Sequence, residues 1–255
     1  MSNSDPPTAA FEQVSSIPAE APTLIEGLPG HGLVAAIAVD LITEQLGLQH
    51  CGNIVADEFP PVVTFEDGLV HDLVRVYADD DPPVMTLESD LALPQRAHEP
   101  LSRCVLEELA TEFDQAIFIA GAPAESEAQL GTVSGVATTD SVKADLLEAG
   151  VPIADDLGLV GGVTGALVKQ CYHADVPAAL LIVNAHPFLP DPDAAKSVIE
   201  TALEPLVDFD VDTTKLTKQA EEIRRRMEQV AEQYQQMIAE GDDVPQRTAA
   251  SGMYQ

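Results

Sequence analysis

The chain predicts an α/β fold built on a largely parallel or mixed sheet, and three observations lead there. Short apolar runs alternate with stretches of helical periodicity between residues 23 and 207. Two of those runs, 116–121 and 178–184, are apolar almost throughout, as strands covered on both faces are. With 255 residues and 45% hydrophobic content, the chain is long and apolar enough to bury a full core.

Residues 1–10 read as a disordered leader. The Ser/Pro/Ala/Asp-rich stretch to Pro22 has neither the basic start nor the apolar run of a signal peptide. Phe11 to Val14 make a short edge strand. A strand over 23–26 then enters the turn Gly27-Leu28-Pro29-Gly30-His31-Gly32. A helix from His31 or Gly32 to Gly47 follows, with Leu33, Ile37, Leu41, Ile42 and Leu46 on one face and Gly47 as its stop. Strands are expected over 52–56, 62–65 and 69–77, the last two joined by an Asp67-Gly68 turn. Another, 84–89, comes after an exposed acidic loop, Asp79-Asp80-Asp81. A helix from Pro94 or His98 to Phe113 leads into the 116–121 strand. Residues 132–138 form a further strand, and Asp140 caps a helix ending at Ala149-Gly150. A second glycine run, Gly158-Leu159-Val160-Gly161-Gly162-Val163-Thr164-Gly165, opens a helix to about His173. The 178–184 strand, a proline-rich loop and a helix over 193–207 complete an α/β domain spanning 11–213.

The last helix, 214–240, differs in kind. Leu216, Ala220, Ile223, Met227, Val230, Tyr234 and Met237 recur at alternating spacings of four and three, a heptad seam flanked by charges. Such a seam packs either on its own domain or on another subunit. Residues 241–255 then form a flexible tail ending Met253-Tyr254-Gln255. A hydrophobic residue, a tyrosine and a free terminal residue on a loose arm suit docking, because the ring fills a pocket while the carboxylate meets a lysine.

Charge narrows the partners. Forty-three acidic against 12 basic residues leave a net charge of −31, spread along the chain. Such a surface repels nucleic acid and anionic membranes. So even an acidic excess is tolerated in a salt-rich cytosol, which points to a halophilic, archaeal source. No run approaches membrane-spanning length, and a cytoplasmic location is expected. Three scattered cysteines, Cys51, Cys104 and Cys171, fit small core residues of a reducing compartment.

Catalytic and ligand motifs are wanting. Gly27, Gly30 and Gly32 give G-x-x-G-x-G and not the dinucleotide G-x-G-x-x-G, and no Gly-Lys-Ser/Thr follows for a phosphate loop. The two glycine runs, with Pro29, therefore read as close packing: Gly27, Gly30 and Gly32 in the first, Gly161, Gly162 and Gly165 in the second. The six histidines show no H-x-x-x-H or H-E-x-x-H spacing. Asp155-Asp156 reads as solvated surface, and no nucleophile elbow is present. No catalytic residue, metal or cofactor is assigned.

Four stretches together resemble the archaeal and bacterial proteasome assembly chaperone family. They are Ile25-Glu26-Gly27-Leu28-Pro29-Gly30 with Gly32-Leu33, Asp57-Glu58-Phe59-Pro60-Pro61, the run Gly158 to Gly165, and Pro190-Asp191-Pro192-Asp193-Ala194-Ala195. They occur in the family's order and span about 23–240; His31 stands where a small or apolar residue is expected. The resemblance implies a three-layer sandwich with a mixed sheet and nucleoside-phosphorylase-like topology. It also implies a homo-oligomer, with a tetramer favoured, and a long C-terminal helix whose Leu216, Ile223, Met227, Val230 and Tyr234 serve the oligomer. In some archaeal members the hydrophobic–tyrosine–any tail docks between α-subunits of the 20S proteasome ring, and Met253, Tyr254 and Gln255 match it. The function expected is that of a non-enzymatic chaperone or adaptor. Two other readings stand beside it: an enzyme of the nucleoside phosphorylase or hydrolase class with a small ligand near the glycine turns, and an oligomeric scaffold with unknown clients.

Overall fold

In the computed structural model, residues 9–17, 22–223 and 225 are described. The strands are β1 (Ala9–Gln13), β2 (Thr23–Gly27), β3 (Gln49–Ala56), β4 (Thr64–Glu66), β5 (Leu69–His71), β6 (Val74–Asp80), β7 (Pro83–Ser89), β8 (Gln115–Pro123), β9 (Val133–Ala137) and β10 (Ala178–Ala185). The helices are α1 (Val34–Leu46), α2 (Gln95–Cys104), α3 (Asp140–Glu148), α4 (Gly162–His173), α5 (Pro192–Val198) and α6 (Glu204–Val207). Eight strands form one sheet in the order β1-β3-β6-β7-β2-β8-β10-β9. Its centre, β7-β2-β8-β10, is parallel, and both flanks are antiparallel. The sheet is therefore mixed, as expected.

Alternation along the parallel strands sends successive side chains to opposite faces. Ile25, Ile117, Ile119, Leu181 and Val183 pack with α1, α3 and α5 in one core. Leu24, Ala116, Phe118, Ala178 and Leu180 pack with α2 and α4 in the other. Helix, sheet and helix make three layers, each core closed by its own helices. Cys51, Cys104 and Cys171 are free, buried thiols in the second core. Burial pushes the thiols of Cys104 and Cys171 up to about 12, so they stay protonated at neutral pH.

Several local expectations need correction, each for a physical reason. Ala9 and Ala10 belong to β1, because that strand pairs with all of β3 from Ala56 to Gly52; residues 1–8 of the expected leader lie outside the described residues. The first helix starts at Val34, after a 3-10 turn over His31–Leu33, because Gly32 (φ 65°) and Leu33 (φ 51°) break the helical path. The strand expected over 69–77 is two. Asp67 and Gly68 do make the tight hairpin, both at positive φ, but it joins β4 and β5 in a small sheet of their own, and β6 begins afresh at Val74. Asp79 and Asp80 close β6 rather than sit in a loop. Thr139, not Asp140, caps α3, its hydroxyl accepting the Val142 amide at 3.2 Å. The 193–207 helix is interrupted by a π-helical stretch, Ile199–Leu203, and the helix expected to reach Phe113 ends in another, Val105–Leu109.

The chain divides into a unit through Thr217 and a second from Lys218. In the first, Leu216, read as the start of an oligomer seam, is buried with α1 and α5 in the core of its own chain. In the second, residues 218–223 and 225 are helical. Of the seam, Ala220 is buried and Ile223 half-buried, while Met227, Val230, Tyr234 and Met237, and the 241–255 tail with Met253, Tyr254 and Gln255, lie outside the described residues. Among the described residues, no helix is long and apolar enough to cross a membrane.

Glycine is required where backbones touch. A Cβ on Gly121 would sit 2.1 Å from the His31 carbonyl oxygen, and one on Gly165 2.3 Å from that of Val160. We expect Gly121→Ala and Gly165→Ala each to lower the thermal midpoint by about 5 °C or more, and Gly158→Ala, where a Cβ meets nothing, to leave it within about 1 °C. Melting of purified variants followed by circular dichroism checks this.

Candidate functional site

Three of the four sequence stretches singled out above meet at one end of the sheet. Strand β2 delivers Glu26 and Gly27 there. Gly27 is needed because a Cβ would fall 2.6 Å from Cβ of Val39, so α1 packs directly on the strand end. Leu28 is buried, and the chain turns through Pro29 and Gly30 so that the His31 carbonyl rests against Gly121 of β8. Gly32 comes next. Its carbonyl accepts the Asp191 amide at 2.8 Å, and a Cβ on it would lie 2.9 Å from that of Ala185. Asp191 in turn accepts from the Ala194 amide at 3.0 Å and from the His186 amide at 2.8 Å, capping α5. The Pro190-Asp191-Pro192 motif thus ties the start of α5 to the first glycine turn. The fourth stretch is placed elsewhere. Asp57 to Pro61 follow β3, and Phe59 packs against the second core.

Glu26 joins the first glycine turn to the second. It is fully buried. The Thr164 hydroxyl, in the first turn of α4, is 3.1 Å from Oε1, and the Ile119 amide of β8 donates to Oε2 at 3.4 Å. Burial pushes its carboxyl up to about 8, against smaller lowering by the bonds to Thr164, Ile119 and Leu28. At neutral pH this is therefore an uncharged acid, with the Thr164 hydroxyl donating to its Oε1.

Beside this junction a cleft of about 800 Å³ lies on the sheet between α4 and β9. Gly30 and His31 of the first turn, 119–122 of β8, Val136 and Ala137 of β9 with Thr138, and Gly158 to Gly161 with Thr164 and Gly165 of the second run line it, together with Asp156, Lys169 and Tyr172. Among the described residues, the buried Nε2 of His31 has no hydrogen-bond partner. Of the predicted glycine-motif residues, Gly30, Gly161 and Gly165 reach the cleft, while Gly27 and Gly32 support it by packing. Sequence reasoning missed Glu26 and Thr164 as a pair, since they lie 138 residues apart; Glu26 at the buried end of a strand, just before glycine, was the one available signal. Among the described residues, no group of three or more His, Cys, Asp or Glu is arranged to hold a metal.

Comparison with known proteins bears on this fold and junction. The PAC2 family matches residues 24–231, and the chain belongs to that family. An uncharacterised protein of Methanocaldococcus jannaschii is 28% identical over 229 residues, 90% of this chain and 93% of that one. The crystal structure of Pyrococcus furiosus PbaA, described as an archaeal homolog of proteasome-assembly chaperone, superposes with a TM-score of 0.79 at 23% identity, over 91% of this chain and 96% of that one. Pyrococcus furiosus PbaB, described as an archaeal proteasome activator, gives 0.77 at 19% identity, over 88% and 99%. The mixed sheet flanked by helices is thus a fold this chain shares with both.

The Glu26 proton has a measurable consequence. The folded protein holds it up to about pH 8, whereas the unfolded chain releases it above about 4.5. This group's contribution to stability is thus fully present below pH 4.5 and is lost as pH rises to about 8, with a ceiling of about 5 kcal/mol. Glu26→Gln copies the neutral acid and removes that loss. We expect its advantage over the parent protein to be smallest at pH 5 and to grow to pH 8, measured by denaturant unfolding at fixed ionic strength; a constant offset would contradict the assignment.

Proposed function

We propose that the chain is a proteasome assembly chaperone or adaptor that works in the cytoplasm as a homo-oligomer and binds α-subunits of the 20S proteasome ring through Met253-Tyr254-Gln255. The observation that carries this reading is membership of the PAC2 family over 24–231, followed by that terminal triplet. The printed descriptions of PbaA and PbaB, a proteasome-assembly chaperone homolog and a proteasome activator, point the same way. Self-association has its own support: Val63, Phe65, Leu69 and Val70 hold the apolar side chains of the β4–β5 hairpin largely in solvent. Several weak tails displayed by one oligomer on one ring gain avidity without any new contact. No catalytic step is assigned to the chain in this role.

The test is a pull-down of 20S proteasome α-subunits at high salt with the full-length protein, Tyr254→Ala and a form lacking residues 253–255. We expect both variants to retain the oligomer size of the parent on gel filtration and to lose α-subunit binding by about tenfold or more. Equal capture by all three would overturn the tail mechanism. Failure of the parent protein itself to capture α-subunits would overturn the proteasome reading.

A further inference from the structure

We propose that the β4–β5 hairpin of one copy docks in the cleft between α4 and β9 of the next, so that copies join head to tail. This deepens the self-association in the reading above and rests on it, and it does not involve the terminal triplet.

The hairpin is an arm with an apolar tip. Strands β4 and β5 form a two-stranded sheet of their own, and such a sheet is marginal in water unless something packs on it. Phe65 and Val70 face each other across the pair. Phe65 is 80% exposed, and Val63, Leu69 and Val70 are also largely in solvent. The base is fixed to the body. Arg75 donates from Nη1 to the Thr64 hydroxyl at 3.2 Å and to the Asp72 carbonyl at 2.9 Å, and it pairs with Asp90. A held stem under exposed apolar side chains suits contact with a partner.

The cleft is the matching surface. It measures about 800 Å³, room for several side chains. Val168 and Ile182 line it, and so do Val136, Tyr172 and Leu159, all three exposed, Leu159 at 99%. The hairpin of the same chain cannot reach it. That hairpin leaves the sheet between β3 and β6. Strands β6 and β10 lie four spacings apart, about 19 Å, whereas a three-residue strand spans about 10 Å. Arm and cleft therefore stand on opposite flanks, and a contact between them joins two copies. Such a heterologous contact closes into a ring where the rotation allows.

Charge decides between this contact and hairpin on hairpin. Asp67 is exposed at the hairpin turn, so two hairpins face to face set acid against acid in a chain of net charge −31. The cleft offers Lys169, and the adjoining hollow, which shares Val136 and Ala137 with it, offers Lys143. Both lysines are exposed, and neither is in an ion pair among the described residues. They balance Asp156 and Asp140 in the same linings, which leaves a near-neutral patch for an acidic arm.

Gel filtration with light scattering on the full-length protein at fixed high salt tests this. The arm variant is Phe65→Ser with Val70→Ser, and the cleft variant is Val136→Glu. All three positions are exposed, so far-UV circular dichroism should match the parent. We expect an oligomer from the parent and a 27.0 kDa monomer from each variant alone. Mixed, the two variants should form a dimer of twice that mass, because the arm of the cleft variant still fits the cleft of the arm variant. Should Val136→Glu alter the spectrum, Gly161→Trp fills the same cleft from a position where a Cβ meets nothing. An oligomer that survives in either variant, or a mixture that stays monomeric, would overturn this contact and leave self-association standing. A monomeric parent would overturn self-association itself, and this contact with it.

Discussion

The carbonyl oxygen of His31 occupies the place a side chain at position 121 would need, and the rest of the molecule depends on that contact. It brings the turn after β2 onto β8, side by side with the start of α4. Gly27 lets α1 close on the same strand end from the other layer, and Gly165 lets α4 turn back on Val160. At Gly121 and Gly165 backbone meets backbone, while at Gly27 the Val39 side chain takes the space. That close approach leaves a fully buried carboxyl, Glu26, as the polar link between β2, β8 and α4. An ionised carboxylate would be expensive at such a site, and the protein keeps the group as a neutral acid instead. The junction is thus tight and, at Glu26, uncharged in a chain with a net charge of −31.

Much of the fold was legible because its signals are local. The 178–184 run and the 116–121 run are buried parallel strands, Gly47 ends α1 in the left-handed conformation, and Asp67-Gly68 makes its hairpin. Several misreadings turn on which strand a segment pairs with, and periodicity does not specify that. Whether 69–77 is one strand or two is decided by pairing: β5 pairs with β4, β6 with β3 and β7. Ala9 and Ala10 are strand only because β3 offers them an edge. Leu216 opens the heptad, and of the two packings open to such a seam it takes the core of its own chain, a choice that periodicity alone does not decide.

The site was legible in half. Its glycines stand out in the sequence, and close packing is the right explanation for Gly27, Gly32 and Gly165. For Gly30 and Gly161 it is not, because nothing presses on them, and only the three-dimensional neighbourhood separates the two kinds. Glu26 was hidden by number: one acid among 43 reads as surface until burial is known. Asp191 was hidden by distance, since its bond to Gly32 spans most of the chain.

The acidic surface constrains how such a protein recognises anything. At molar salt the screening length shrinks to about 3 Å, so a net charge of −31 no longer steers partners and acts chiefly by holding water. Recognition then falls to contacts at hydrogen-bond and van der Waals range. Among the described residues, several basic side chains are already committed within the chain: Arg75 to Asp90, Arg103 to Glu99, Lys196 to Glu200 and Lys215 to Glu44. Lys169, which lines the cleft between α4 and β9, is in no ion pair among the described residues. A surface that repels at long range and binds only on contact selects its partners by shape and hydrogen bonding, which is the kind of discrimination a salt-rich solution leaves intact.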